Sequence, residues 1–115
     1  MMSLLIVEDN AKMRRMLKSL VADMASPVYE CADGADAFAI CAAEHPDVVL
    51  MDIEMKWMDG ISVTRQIKVA YPEARIIIVT SYNDPELRAA AQDAGACGYV
   101  LKENLIEVRN WLHVA

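Results

Sequence analysis

Short apolar runs alternate with helical patterns five times along the chain. The runs are Leu4–Val7, Val28–Cys31, Val48–Met51, Ile76–Val79 and Gly98–Leu101. The stretches between them carry the 3.6-residue period of amphipathic helices. In the first, Met13, Met16, Leu17, Leu20, Val21 and Met24 share one face, with Lys12, Arg14, Arg15 and Lys18 opposite. Asn10 is placed to cap this helix, and Asp84-Pro85 supplies an N-cap followed by proline in the first helical turn. Asn104 and Glu107 have the spacing of a capping box, which predicts a final helix of about ten residues. Gly95, Pro46 and Pro72 follow helical segments as stops.

Several of the predicted strands are continuous apolar blocks rather than alternating ones. Such strands are covered on both faces, as in a parallel sheet wrapped by helices. Five βα units with right-handed crossovers give a doubly wound α/β fold. No repeat, low-complexity stretch or Gly/Ser linker interrupts the 115 residues, so a single domain over residues 1–115 is expected.

Composition narrows the function classes. A hydrophobic share of 56% is ample for a core, which excludes a disordered chain. The net charge of −6 disfavours direct contact of this segment with nucleic acid or an anionic membrane. Cys31, Cys41 and Cys97 are an odd set without CxxC spacing, which argues against a disulfide scaffold or zinc site. They read as small buried hydrophobes in a reducing compartment. The longest apolar run is too short to cross a bilayer, and the N-terminus lacks the basic segment and cleavage site of a signal peptide. A cytoplasmic location is the expectation.

In an open parallel sheet the working site lies beyond the carboxyl ends of the strands. Here the first strand ends in Glu8-Asp9, the third in Asp52, the fourth in Thr80-Ser81 and the fifth in Lys102. Any one of these residues alone reads as a helix cap or a solvated charge. The four ends are spaced by whole βα units, however, and can converge on one edge. With the first and third strands as neighbours, three carboxylates meet. At about 5 Å two unit charges repel by roughly 3 kcal/mol at an effective dielectric of 20, so the cluster calls for a cation. An all-oxygen donor set suits Mg²⁺. Carboxylates, a divalent ion, an ammonium and a hydroxyl together make a receiver for a phosphoryl group. Asp52 is then the nucleophile, the acid pair being better suited to holding metal.

At these residues the chain resembles the response-regulator receiver domain of two-component signalling. The matching pieces are Leu4-Leu5-Ile6-Val7-Glu8-Asp9, Pro46 to Ile53, Met58-Asp59-Gly60, Ile77 to Ser81, and Gly95 to Lys102. The resemblance implies a flavodoxin-like sheet in the order 2-1-3-4-5. It implies Asp52 as phosphoacceptor, taking its phosphoryl group from a histidine kinase, a phosphotransfer protein or a small acyl phosphate. Such a chain is no conventional enzyme, although it catalyses its own phosphorylation and dephosphorylation. Glu8, Asp9 and Asp52, with the backbone carbonyl of Glu54, would hold Mg²⁺. Thr80 and Lys102 would contact the phosphoryl group. Thr80 and Tyr99 would rearrange together as the switch, altering the surface of the fourth helix, fifth strand and fifth helix toward an output domain or partner protein. A homodimer through the fourth and fifth helices is a further implication.

Two positions depart from the pattern. Lys56 and Glu103 stand where the family commonly has proline, which leaves both loops less preorganised. Glu54 and Tyr82, two residues after Asp52 and Thr80, are placed to tune the chemistry. Glu54 would repel small anionic donors, and Tyr82 would shield the acyl phosphate from water. Met13, Met16 and Met24 read as core filler. Trp57 would pack over the site loop, and Trp111 would join Leu105, Val108 and Leu112 on the inner face of the last helix. His45 and His113 carry no catalytic role.

Three other readings compete. An aspartate-nucleophile phosphatase of the haloacid-dehalogenase type shares Asp and Mg²⁺, but Asp52-Ile53-Glu54 is a poor version of its motif. A flavin site would need a phosphate cradle where Glu8-Asp9 repels one. A receiver-like interaction module without phosphorylation is the stronger alternative. The chain ends within its last predicted helix, so it is either a stand-alone receiver or the first part of a longer regulator.

Overall fold

A computed structural model describes residues 1–55 and 59–113. Five strands are present: β1 (Met2–Val7), β2 (Ala25–Cys31), β3 (Val48–Met51), β4 (Arg75–Thr80) and β5 (Gly98–Leu101). They alternate with α1 (Ala11–Val21), α2 (Gly34–Glu44), α3 (Gly60–Ala70), α4 (Pro85–Ala94) and α5 (Glu107–Leu112). All strand pairs are parallel and the order is β2-β1-β3-β4-β5. This is the doubly wound arrangement and order expected.

The two faces of the sheet are covered by different helices. Leu5, Val7, Val49, Met51, Ile76 and Ile78 point toward α2, α3 and α4, where Cys41, Val63, Ile67 and Ala91 meet them. Leu4, Ile6, Val48, Leu50, Ile77, Val79 and Val100 point the other way, onto Leu17 and Val21 of α1 and Val108 and Leu112 of α5. Alternate residues of each central strand therefore both find apolar cover, which is why these strands read as unbroken apolar runs.

Four helices begin on an Asx cap. Asn10 accepts from the Met13 N–H at 2.9 Å, and Asp33 from Asp36 at 2.8 Å. Asp59 accepts from Ile61 at 3.0 Å, and Asp84 from Glu86 at 2.8 Å. Each cap closes the loop that follows a strand, so the carboxyl edge of the sheet is fixed by short polar contacts.

Several expectations are corrected. The box between Asn104 and Glu107 does not form: Lys102–Asn104 is a 3₁₀ turn, and Leu105 and Ile106 continue in right-handed helical conformation without a side-chain cap. An N-cap needs extended backbone, which this segment never adopts, and α5 is six residues long. Met16 is 48% exposed, because α1 rests on the sheet along Leu17 and Val21, with Met13 and Leu20 partly buried beside them. Cys97 is exposed on the loop between α4 and β5, whereas Cys31 and Cys41 are buried. Burial pushes their thiols up to about 12 and about 11, so both are inert at neutral pH. Trp111 packs with Leu105, Val108 and Leu112 as expected, its ring occupying the space a side chain at Gly98 would need. Lys56, Trp57 and Met58, and the expectations attached to them, lie outside the described residues.

Candidate functional site

Register brings the acidic strand ends together. β1 pairs with β3 so that Val7 faces Met51, and the Asp52 N–H donates to the Val7 carbonyl at 3.0 Å. Glu8 and Asp52 thus leave the sheet side by side, both buried, while Asp9 is exposed beside them. Carboxylate oxygens of Glu8, Asp9 and Asp52 lie within 4.8 Å of one another. Lys102, following β5, sends its Nζ to 2.8 Å from Glu8 Oε1 and 3.4 Å from Asp52 Oδ1. Four of the expected site residues therefore meet at one point.

The electrostatics follow from this crowding. Burial, reinforced by the negative charge of Glu8, pushes Asp52 up to about 7, and Lys102 only partly offsets it. Burial disfavours charge on Lys102 as well, but the two carboxylates outweigh it and raise its pKa. Glu8 is held on one side only. Its Oε2 accepts the Asn10 N–H at 3.1 Å, whereas buried Oε1 has the ammonium close by but no aligned hydrogen bond. An incompletely satisfied buried oxygen, within a set of hard oxygen donors carrying excess negative charge, fits a divalent cation such as Mg²⁺.

Thr80, at the end of β4, is buried, and its Oγ1 accepts the Tyr82 N–H at 3.2 Å. Tyr99 of β5 is half-buried and donates its hydroxyl to the Tyr82 carbonyl at 2.6 Å. The expected switch pair, Thr80 and Tyr99, is thus joined through the backbone of Tyr82. The Glu54 carboxylate raises the pKa of the Tyr82 phenol, and both side chains are exposed.

The loop after Asp52 folds back on itself. Glu54 bridges to Asp59, and the Gly60 N–H donates to the Ile53 carbonyl at 2.9 Å. The start of α3 is pressed against the Asp52 main chain, and Thr64 Oγ1 secures it by donating to the Gly60 carbonyl at 2.8 Å.

Sequence reasoning missed two basic residues. Arg14, read as part of the outer stripe of α1, donates to the Glu8 carbonyl at 2.8 Å and lies 3.6 Å from Glu30. Its place about one turn into the helix that follows Glu8-Asp9 is the available signal. Arg88 of α4 stacks its guanidinium 4.4 Å from the centre of the Tyr99 ring.

An open parallel sheet with an acid cluster and a lysine at its carboxyl edge defines a flavodoxin-like α/β fold whose grouped carboxylates could hold a cation. Within that class, the chain belongs to the response regulator receiver domain family, whose profile matches residues 4–110. It is 36% identical over 114 residues to the uncharacterized transcriptional regulatory protein YhcZ of Bacillus subtilis, covering 94% of this chain and 53% of that one. It is 30% identical over 108 residues to sporulation initiation phosphotransferase F of the same organism, covering 93% and 87%. The structure of the chemotaxis protein CheY4 of Vibrio cholerae superposes with a TM-score of 0.87 at 25% identity, over 97% of this chain and 98% of that one. The chain spans about half of the first relative's length and matches others of which it covers 22% or 21%. Receiver domains of this family work between histidine kinases and output domains, and several of the relatives are transcriptional regulators. Among the described residues no helix is long and apolar enough to cross a membrane.

Proposed function

We propose that Asp52 is the phosphoacceptor of this receiver and that residues 1–115 act as one switching unit. The observation that carries the reading is the Lys102 ammonium shared between Glu8 and Asp52 inside a triad of carboxylates. A carboxylate oxygen of Asp52 attacks the phosphorus of a phosphohistidine or a small acyl phosphate. A P–O bond forms as the P–N bond to imidazole, or the P–O bond to the acyl group, breaks, and the leaving group carries away the electron pair. Lys102 holds one phosphoryl oxygen, and the Thr80 hydroxyl donates to another. Hydrolysis by water returns the Asp52 carboxylate and inorganic phosphate, so the domain catalyses both steps on itself.

Glu8, Asp9, Asp52 and the Glu54 carbonyl would hold Mg²⁺, which when bound neutralises the charge gathered on the phosphoryl oxygens. Phosphorylation then acts on Thr80 and Tyr99 and alters the surface of α4, β5 and α5. That surface would meet an output domain or partner protein, or a second copy of the chain. The donor would be a cytoplasmic histidine kinase or phosphotransfer protein. The net charge of −6 disfavours direct binding of this segment to nucleic acid or an anionic membrane.

Incubation with acetyl phosphate and Mg²⁺, followed by intact mass measurement, tests the reading. The expected result is the mass gain of one phosphoryl group, absent in Asp52→Asn and after chelation. No gain from acetyl phosphate or from any phosphorylated kinase would leave a receiver-like interaction module instead.

A further inference from the structure

Asp9 is the one exposed member of the carboxylate triad, so core packing does not hold it beside Glu8 and Asp52. Its position depends on the turn from β1 to α1, and Arg14 grips that turn on both sides of Asp9. On the amino side, the Arg14 guanidinium donates to the Glu8 carbonyl at 2.8 Å. On the carboxyl side, the Arg14 main-chain N–H donates to the Asn10 carbonyl at 2.9 Å. The guanidinium has a second anchor outside the turn. Its Nε lies 3.6 Å from Glu30 Oε1 on β2, and Lys18, one turn further along α1, holds the other Glu30 oxygen at 3.1 Å. The Glu8 N–H is itself bound to β2, donating to the Cys31 carbonyl at 3.1 Å. Both polar groups of the Glu8 main chain are thus tied, the N–H directly to the edge strand and the carbonyl through Arg14.

We propose that Arg14 is a positioning residue for the divalent cation: it fixes the peptide between Glu8 and Asp9 so that both carboxylates face one point. The inference rests on the reading of Glu8, Asp9 and Asp52 as the metal-holding set. A peptide unit is planar, so holding its carbonyl oxygen sets the plane and with it the Cα of Asp9. Outer partners that orient ligands in this way govern metal affinity without touching the ion. Arginine suits the task because its fork reaches a carbonyl and a carboxylate at once, whereas a lysine ammonium is a single point on a flexible stem. The Arg14 side chain is only 23% exposed, so the contact is partly shielded from competing water. Charge and geometry make opposite demands here. A cation this close to the cluster repels a divalent ion, and by charge alone its removal would tighten metal binding. For Arg14 to promote binding, its hold on the turn must outweigh that repulsion, and the sign of the effect separates the two.

The test titrates the full chain with Mn²⁺, following the electron paramagnetic resonance signal of the free ion, with Mg²⁺ as competitor. Arg14→Ala is expected to weaken binding of both ions about tenfold, the low end for loss of an outer partner. Arg14→Lys keeps the charge and one donor group, and should recover part of the loss. Arg15→Ala removes the same charge from the exposed face of α1 and should leave affinity unchanged or slightly tighter. Urea unfolding of each variant establishes that it is folded at the titration temperature, so that lost affinity is not lost fold. Affinity in folded Arg14→Ala equal to or above that of wild type would overturn the proposal. Arg14→Met retains the apolar stem but no donor; it should match Arg14→Ala, and it decides in the same way should the alanine variant not fold. If wild type binds neither ion, the metal reading fails, and amide hydrogen exchange in the metal-free protein judges Arg14 instead. Faster exchange at Glu8 and Asn10 in Arg14→Ala then supports the hold on the turn, and unchanged exchange overturns it.

Discussion

Gly60 sits directly against the Asp52 main chain: a Cβ built on Gly60 would lie 2.0 Å from the Asp52 carbonyl oxygen and 2.9 Å from its carbonyl carbon. Only a residue without a side chain lets α3 start this close to the proposed phosphoacceptor. The obstacle is backbone on both sides, so no rotamer change relieves it. Gly60→Ala is predicted to displace the loop from Asp52 to Asp59, at a cost of about 1–3 kcal/mol or more. Urea unfolding measures the loss, and acetyl phosphate labelling should fall with it. Wild-type stability in Gly60→Ala would mean that the loop has a second arrangement of equal energy.

Lys102 is the only cation that an ion pair connects to Glu8 or Asp52 among the described residues. Lys102→Met keeps the length of the side chain and removes the charge that lowers the Asp52 pKa, so Asp52 takes up a proton at neutral pH while Glu8 loses its cation. The predicted destabilisation is about 1–3 kcal/mol at neutral pH, because protonation of Asp52 relieves part of the cost of breaking a buried ion pair. Added Mg²⁺ should restore part of this stability, because it replaces the lost positive charge. It should not restore acetyl phosphate labelling, because the phosphoryl oxygen that Lys102 would hold has lost its partner. Denaturation with and without Mg²⁺, paired with intact mass measurement, separates the two effects.

The strands most readable from sequence were those whose residues are all covered. Val48–Met51 is buried along its whole length, and its apolar run predicted both ends of β3. β2 begins three residues earlier than its apolar run, because Ala25, Ser26 and Pro27 belong to an edge strand whose Ser26 and Pro27 face solvent. The cluster of carboxylates and lysine was legible for a related reason. Glu8, Asp9, Asp52 and Lys102 are polar residues that interrupt apolar runs, and the topology of a parallel sheet puts such interruptions on one edge. The links through Tyr82 were not legible. They use its N–H and carbonyl, which every residue but proline possesses, so no side-chain identity signals them. Arg14 and Arg88 were hidden differently: each occupies a polar stripe of its helix, where an arginine is ordinarily a solvated charge.

In metal-free protein, burial and the neighbouring Glu8 raise Asp52 to about 7 from an ordinary value of 3.8. A raised carboxyl favours the folded state when protonated. Its contribution is therefore intact below the unfolded value, is lost as pH rises toward the folded value, and is constant above it. Asp52→Asn removes the penalty, since a neutral amide needs no proton to remain buried. In chelator at about pH 8 the variant is predicted to be more stable than wild type by about 1–3 kcal/mol, the advantage shrinking as pH falls toward about 4. Urea titrations across this range measure it. An advantage independent of pH would show that amide packing, rather than charge, is responsible.

Glu54 and Tyr82 guard the mouth of the site from two different strand ends, and their proposed tasks separate experimentally. The Glu54 carboxylate raises the pKa of the Tyr82 phenol and, two residues after Asp52, adds an exposed negative charge to the loop that follows β3. A small anionic donor must approach against that charge, whereas a phosphohistidine on a docked kinase is brought in by contacts elsewhere. Glu54→Gln is therefore predicted to speed labelling by acetyl phosphate about two- to fivefold at low salt, with the difference fading once ionic strength reaches about 0.1 M, where screening acts within roughly 10 Å. Labelling by a cognate kinase should change less. Tyr82→Ala leaves the charge in place and removes the ring, so it should hasten loss of the phosphoryl group by admitting water, with little change in how fast the group arrives. Time courses of intact mass after removal of the donor give the hydrolysis rate directly. An unchanged rate in Tyr82→Ala would remove the shielding role, and a salt-independent gain in Glu54→Gln would point to loop rearrangement instead of charge.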